Sequence, residues 1–330
     1  MIYFDNAASA KPHPRAVEAF NAAAENNYAN PAALHSAGIK AEKILSEARE
    51  KLLSLLPKGG SLIFTSGATE SNNLAILYSV KGRDKSRIVT TPFEHPSVGS
   101  LIEDKSGAIS DDTALFSQIA VCGETGFIHN IPDCPPDCLL HVDAAQAFGK
   151  IPLTSLKADL ISVSAHKIGG LSGVGGLWVR KGVRIKPMLF GGGQQGGIRP
   201  GTEPVALIAA FAASIDNGQL TVDSCHGRLV AGLRELKLPV HSRNSIANIV
   251  NFSCFVKSEI MLHFLAEHDI FVSSGSACAR GKKSVILPKY GVSDRDVDTA
   301  IRVSFGWQNT LNEVDTFLEV LEAGIKRWRK

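Results

Sequence analysis

Two short apolar runs near the middle of the 330-residue chain end on charged residues: CLLHVDAAQ (138–146) delivers Asp143, and ADLISVSAHK (158–167) delivers His166 and Lys167. In open α/β sheets ligands bind outside the carboxyl ends of the strands, so polar residues just after apolar runs are the ones chemistry can use. An acid and a lysine in such places could form a plain ion pair. A buried pair, however, loses much of its Coulomb gain to desolvation, whereas a desolvated strand-end lysine can serve as an amine nucleophile. An earlier run, SLIFT, is followed by SGATES (66–71). A helix opening there would present free N–H groups, with help from the Thr69 hydroxyl, to a phosphate; an ordinary Ser/Thr cap explains the same residues. Lysine, carboxylate and phosphate seat together are what pyridoxal 5′-phosphate (PLP) requires: an amine to form an imine, and an acid to keep the pyridine nitrogen protonated so that the ring works as an electron sink.

The elements that must position these groups follow from periodicity. Residues 13–29 and 37–56 carry apolar residues at helical spacing, with Pro31 between them. Thereafter SLIFT, SRIVTT, QIAVCG, CLLHVDA, ADLISVS and GGLWVRK read as strands, and ESNNLAILYSV and HPSVGSLIED as helices between them. That alternation predicts an α/β domain with a largely parallel sheet. A helix is expected over 203–217; after a polar break, helix-like 225–236, strand-like IANIVNFS, helix-like EIMLHFLAEH, strand-like IFVSS and a helix from Asn312 onward form a smaller α+β unit. The expected division is a large domain over 14–217 and a small one from 1–13 plus 218–330.

Composition narrows the partners. The formal charge of +3 arises from 35 basic and 32 acidic residues that are interspersed, so no footprint for nucleic acid or an anionic membrane is expected. The N-terminus lacks the apolar run of a signal peptide, and no segment reaches the roughly 18 apolar residues of a membrane span; a cytoplasmic protein is expected. Cysteines at 122, 134, 138, 225, 254 and 278 are too sparse for a disulfide framework. Cys134 and Cys138, in DCPPDC, could begin a zinc site, but only His129 and His141 lie near in sequence, and loop or core thiols explain them too; no metal is expected. GLSGVGG (170–176) leads into a strand and no GxxxxGK[ST] pattern occurs, which leaves dinucleotide and P-loop readings weak. Cys278 stands in SSGSACARGKK, where small residues before it and Arg280, Lys282 and Lys283 after it suit an exposed thiolate, although a lone cysteine is more often a small core residue.

FTSGATESNN, EHPSV, HVDAAQ, SAHK, GGGQQGGIRPGTEP, SSGSAC and IRVSFG occur in the order seen in cysteine desulfurases and selenocysteine lyases of the class V aminotransferase group, which the chain resembles over nearly its whole length. ANPAALHSAG resembles that group's Asn-Pro…His element. The resemblance implies a PLP-dependent transferase-like fold of type I, with a mainly parallel mixed sheet in the large domain and a smaller α+β C-terminal domain. It implies that Lys167 carries PLP as a Schiff base, that Asp143 faces the pyridinium nitrogen, and that His95 stacks on the ring and moves protons. Gln146 resembles the partner of the phenolic oxygen. Ala68, Thr69, Ser164 and His166 match the phosphate cup, and Thr202 the residue that reaches it from the neighbouring subunit, which implies a homodimer. Arg302, with Asn30, resembles the substrate-binding set, the arginine gripping a carboxylate through its planar fork. In the implied reaction L-cysteine replaces Lys167 on PLP, a Cα proton is lost, the Cys278 thiolate attacks the substrate sulfur, alanine leaves, and a persulfide remains for a sulfur-acceptor scaffold protein. SSGSAC and the long segment before Arg302 resemble the iron–sulfur-assembly branch.

Three features depart from the pattern. Cys122-Gly123-Glu124 stands where the family has Asn-Asn-Glu, so no amide is available at Gly123; His129 replaces a glutamine; and the stretch between Ser100 and His141 is short, with HNIPDCPPDC in place of a crossover helix. A donor to developing charge can be worth a few kcal/mol, or roughly a hundredfold in rate. Slow turnover of L-cysteine or another preferred substrate is therefore expected. A selenocysteine lyase, another class V lyase or aminotransferase, and a non-catalytic scaffold relative remain alternatives at this stage.

Overall fold

Strands β2 (Gly60–Thr65), β3 (Arg87–Thr90), β4 (Thr113–Ile119), β5 (Leu139–Asp143), β6 (Leu160–Ser164) and β7 (Gly175–Arg180) form one six-stranded sheet in the order β2-β7-β6-β5-β4-β3. β3, β4, β5 and β6 run parallel, while β7 is antiparallel to both neighbours. Every residue of β4, β5 and β6 is buried, as strands covered on both faces must be, which is why they read as continuous apolar runs. The computed structural model describes residues 1–82, 84–215, 219–275 and 283–328. Among them, no helix is long and apolar enough to cross a membrane.

The sheet belongs to a unit of Pro12–Ala120 and Asn130–Asp216, which also holds α1 (Pro14–Asn26), α2 (Ser36–Leu53), α3 (Ala68–Ser79), α4 (Pro96–Gly99) and α5 (Val205–Ala213). α1 opens on Pro14 with His13 capping Arg15, and α2 opens on His35 capping Gly38. α3 lies on β6 and β7. Gly175 permits this approach: a Cβ there would stand 2.6 Å from the Val163 carbonyl and 2.7 Å from the Gly67 Cα. β2 is an edge strand, and Gln195 covers it by taking the Phe64 N–H at 2.6 Å and giving its own amide to the Phe64 carbonyl at 2.9 Å.

The other unit comprises Met1–Lys11, Val121–His129 and Asn217–Lys330. It contains β1 (Ile2–Tyr3) parallel to β9 (Ile270–Phe271), β8 (Ile249–Ser253) antiparallel to β10 (Ala300–Ser304), and helices α6 (Gln219–Glu235), α7 (Ser258–Glu267), α8 (Asp294–Asp298) and α9 (Leu311–Trp328). Phe4, Phe252, Phe305 and Phe317 meet edge to face in its core.

Several sequence expectations are corrected. HPSVGSLIED forms only the single turn of α4, because the chain beyond it returns to β3: the Thr90 N–H donates to the Asp104 carbonyl at 2.9 Å, and Arg87 holds the Asp104 carboxylate. The strand expected over QIAVCG lies earlier, at Thr113–Ile119. Residues 121–129, assigned from sequence to the large domain, group with the small unit as a hairpin-like excursion: Val121 bridges Ile128 and Phe127 bridges Ser245. IFVSS is a strand only at Ile270–Phe271, with Ser273 bridging Arg302, and IRVS, read from sequence for its arginine alone, is β10.

Candidate active site

Register brings the expected residues of the large unit to one sheet edge. Thr65 pairs with Gly175, and Gly175 with Ser164, so the carboxyl ends of β2 and β6 flank the first residue of β7. Asp143 ends β5 opposite Ile119 on one side and Ser162 on the other. Beyond Ser164, one 3-10 turn, Ala165–Lys167, presents His166 and Lys167. Beyond Thr65, Gly67 caps α3 with no side-chain hydrogen bond; its φ of 156° is open to glycine and unfavourable for most other residues. The first turn of α3, with Ala68 and Thr69, therefore keeps the unsatisfied N–H groups that every helix start carries.

Asp143 is buried, and both carboxylate oxygens are oriented: Oδ1 accepts from the Ala145 N–H at 3.0 Å and Oδ2 from Asn72 Nδ2 at 2.8 Å. The same Asn72 nitrogen lies 2.8 Å from Ser97 Oγ, which lies 2.8 Å from His95 Nδ1. The Ser97 N–H also donates to that Nδ1 at 3.1 Å. With Nδ1 accepting, the neutral His95 ring carries its proton on Nε2. The side chain of His95 is exposed at the surface, yet desolvation by the atoms around it pushes it below its ordinary value; Asp143 opposes this and Lys167 reinforces it. His166 is pushed down to about 4 by burial, then by Lys167, Lys150 and His95. Both imidazoles are thus neutral at pH 7. Gln146 is buried, with its side-chain oxygen held by Lys150 at 2.8 Å.

Asn30 and Thr202 are exposed. Asn30 uses its side-chain oxygen on the Ala32 N–H at 2.9 Å, a local turn of its own loop. In the small unit, Arg302 is almost fully buried on β10. Nη2 pairs with Asp5 Oδ1 at 2.7 Å and Nη1 donates to the Gly123 carbonyl at 2.9 Å. Nε is buried with no hydrogen-bond partner among the described residues. Gly123 therefore serves through its backbone. His129, at the other departure, accepts from or donates to the Tyr290 hydroxyl at 2.8 Å and packs on Phe127. Cys278 lies outside the described residues. Of its flanks, the Ser284 hydroxyl donates to buried Glu124, and Ser273 donates to the Gly275 carbonyl.

Residues 2–103 and 98–317 match the aminotransferase class-V family. A protein of Archaeoglobus fulgidus named cysteine desulfurase IscS 1 is 33% identical over 375 aligned positions, spanning 100% of this chain and 98% of the relative. The cysteine desulfurase IscS of Rickettsia akari is also 33% identical, over 100% of this chain and 92% of its own. Among solved structures, a NifS-like protein superposes with a TM-score of 0.87 at 31% identity over 99% of both chains; another, from Rickettsia africae, gives 0.85 at 26%, again over 99% of both. The chain belongs to the class-V aminotransferase family.

Class-V aminotransferases of the cysteine desulfurase group depend on PLP, and the residues of the large unit fit that cofactor. Ser164 Oγ is buried at the cup with no hydrogen-bond partner among the described residues, which is costly unless an acceptor such as a phosphate oxygen meets it. Asp143 has two lone pairs beyond those its neighbours use, enough for a protonated ring nitrogen. Two residues of this class-V site escaped the sequence reading: Asn72 and Ser97, the links from Asp143 to His95. Both lie inside quoted motifs, SGATESNN and EHPSV. The available signal was positional: Ser97 is the first N–H donor after the helix-opening Pro96, and Asn72, buried, stands one turn beyond Ala68 on α3.

Asn72→Leu keeps the volume but leaves Asp143 Oδ2 and Ser97 without their donor. Losing a hydrogen bond to a buried acceptor costs about 1–3 kcal/mol, so PLP affinity, measured by equilibrium dialysis of the apoprotein, is expected to fall roughly 5- to 150-fold. Unchanged affinity would remove Asn72 from the site.

Proposed function

We propose that the chain removes the sulfur of L-cysteine, releasing L-alanine and leaving a persulfide on Cys278 for an acceptor protein, and that it does so as a homodimer in which Thr202 completes the partner's phosphate cup. The observation that carries this reading is the convergence of Lys167, Asp143 and His95 at one sheet edge, Asp143 and His95 joined through Asn72 and Ser97 and His95 feeling the charge of Lys167. PLP, when bound, supplies the electron sink that makes the substrate Cα–H acidic.

The protein's own groups divide the remaining work. Lys167 is the amine that holds the cofactor covalently and, once released by substrate, a base beside the reacting carbon. Asp143 is oriented, by Asn72 and Ala145, to keep the ring nitrogen protonated. His95, neutral with its proton on Nε2, gives that proton to a departing or incoming group and regains it, as suits an imidazole held by its other nitrogen. Ser164, His166, Thr69 and the first turn of α3 hold the phosphate, the helix start adding its partial positive charge. Gln146, fixed by Lys150, addresses the phenolic oxygen. Arg302 has three N–H groups, including the buried Nε, beyond those given to Asp5 and Gly123, and these are available to a substrate carboxylate. Asn30 assists there.

The decisive experiment supplies PLP and L-cysteine and measures alanine together with mass mapping of Cys278. Alanine is expected, with 32 Da added to that cysteine. Absence of alanine, or a Cys278→Ala protein making alanine and sulfide at the original rate, would overturn the assignment.

A further inference from the structure

The Gly-rich loop that ends on Thr202, GGGQQGGIRPGT (191–202), is fastened to its own chain at two places. Gln195 stands at φ 51° and ψ 42°, a left-handed conformation that is unfavourable for a residue with a Cβ. In that conformation its side-chain amide lies along the free edge of β2, accepting from the Phe64 N–H and donating to the Phe64 carbonyl. Four residues on, Arg199 Nε pairs with Glu70 Oε1 at 3.0 Å, partly buried. Glu70 Oε2 accepts from the Ser66 N–H at 2.6 Å, so one carboxylate holds both the start of α3 and the loop.

Beyond these ties the loop braces itself. Gln194 Oε1 accepts from the Gly201 N–H at 3.1 Å, and Pro200 is buried. Thr202 follows directly and is exposed. Leu189, Phe190, Pro200 and Thr202 line one hollow, with Phe190 90% exposed. A fixed loop thus presents a threonine beside uncovered apolar surface, as a contact with a second copy of the chain requires.

We propose that Gln195 and Arg199 are positioning residues that act on the other subunit, holding the loop so that Thr202 meets the phosphate in the partner's cup. This role rests on the homodimer proposed above. A loop already ordered before it meets the phosphate loses less freedom on binding, and the affinity gained in this way belongs to the partner's site. A simple edge cap would act differently. β2 runs through Phe64 into Ser66 and Gly67, so if Gln195 only sealed that strand, its loss would damage the cup of its own chain.

The test uses mixed dimers in which one chain carries Lys167→Ala, so that the visible band reports PLP on the other chain alone. Copies with different affinity tags are co-expressed, dimers bearing both tags are isolated, and the PLP concentration giving half the band is measured. The control carries Lys167→Ala and no other change. With Gln195→Ala added to the Lys167→Ala chain, the reporting site receives the altered loop and is expected to bind PLP roughly 3- to 10-fold more weakly, the effect of losing about one ordinary hydrogen bond. With Gln195→Ala in the reporting chain, the site receives an unaltered loop and is expected to match the control. Arg199→Met, which leaves the β2 edge sealed, is expected to repeat this pattern and decides the matter where the Gln195 variant fails to fold. Weakening absent from the first arrangement, or as large in the second, overturns the proposal. Thr202→Ala in the Lys167→Ala chain tests the homodimer separately. No weakening there removes the shared cup itself, whereas weakening there with no effect of Gln195→Ala or Arg199→Met removes only the positioning role.

Discussion

Lys167→Ala protein is expected to lose the visible absorption band of the PLP-loaded enzyme and to form alanine from L-cysteine slower by roughly 10²–10⁴-fold or more, the range that removal of a positioned acid–base group alone commands. The loss exceeds that of any neighbouring substitution because Lys167 is assigned two roles, covalent anchor and base, at the turn after β6. Lys167→Arg separates charge from nucleophilicity. The guanidinium keeps a cation beside His95 and His166, both of which feel the charge of Lys167, yet stays protonated and cannot attack an aldehyde. An arginine variant that kept the band would show that PLP is held here without Lys167, and would remove the covalent step. A lysine variant inactive only through misfolding is distinguished by its far-UV dichroism and by PLP retained through Asp143 and the phosphate cup.

The placement of these groups was legible in the sequence because β5 and β6 are short, wholly buried runs that end abruptly on Asp143, His166 and Lys167. Burial on both faces writes itself as unbroken hydrophobicity, and the residue that breaks it marks the strand end. Hydrogen-bond wiring leaves no such mark. Asn72 and Ser97 are ordinary polar residues on helices, and only the packing of α3 beside α4 and β5 makes one amide serve both an aspartate and a serine. The excursion of 121–129 was likewise hidden: Val121 and Cys122 continue the apolar run of β4, and what draws the segment away is pairing with Ser245, more than a hundred positions onward. Arg302 was identified by type, whereas its ion pair with Asp5 joins opposite ends of the chain.

A second large effect is expected one residue before His95. Glu94 is buried; its Oε1 accepts from the Ile119 N–H and from Thr91 Oγ1, both at 2.8 Å, while Oε2 has no partner among the described residues. Burial, opposed by those hydrogen bonds and reinforced by Asp143, pushes its carboxyl up to about 8. The folded protein therefore favours the protonated acid. The stability this gives is complete below the unfolded value of about 4.5 and is lost as pH rises toward 8, by about 1.4 kcal/mol per pH unit and so about 3 kcal/mol at pH 7. Glu94→Gln keeps the Oε1 acceptor and is neutral at every pH. It is expected to unfold like the parent near pH 4.5 but to be more stable by about 3 kcal/mol at pH 7 and more than that at pH 8, read as urea midpoints of the two proteins across that range. Curves that run parallel from pH 4.5 to 8 would show an ionised Glu94. A neutral Glu94 also has a consequence for the site, because Ile119 is the β4 residue opposite Asp143. The side chain that fixes the end of β4 then adds no negative charge beside Asp143, the carboxylate proposed to face the cofactor ring.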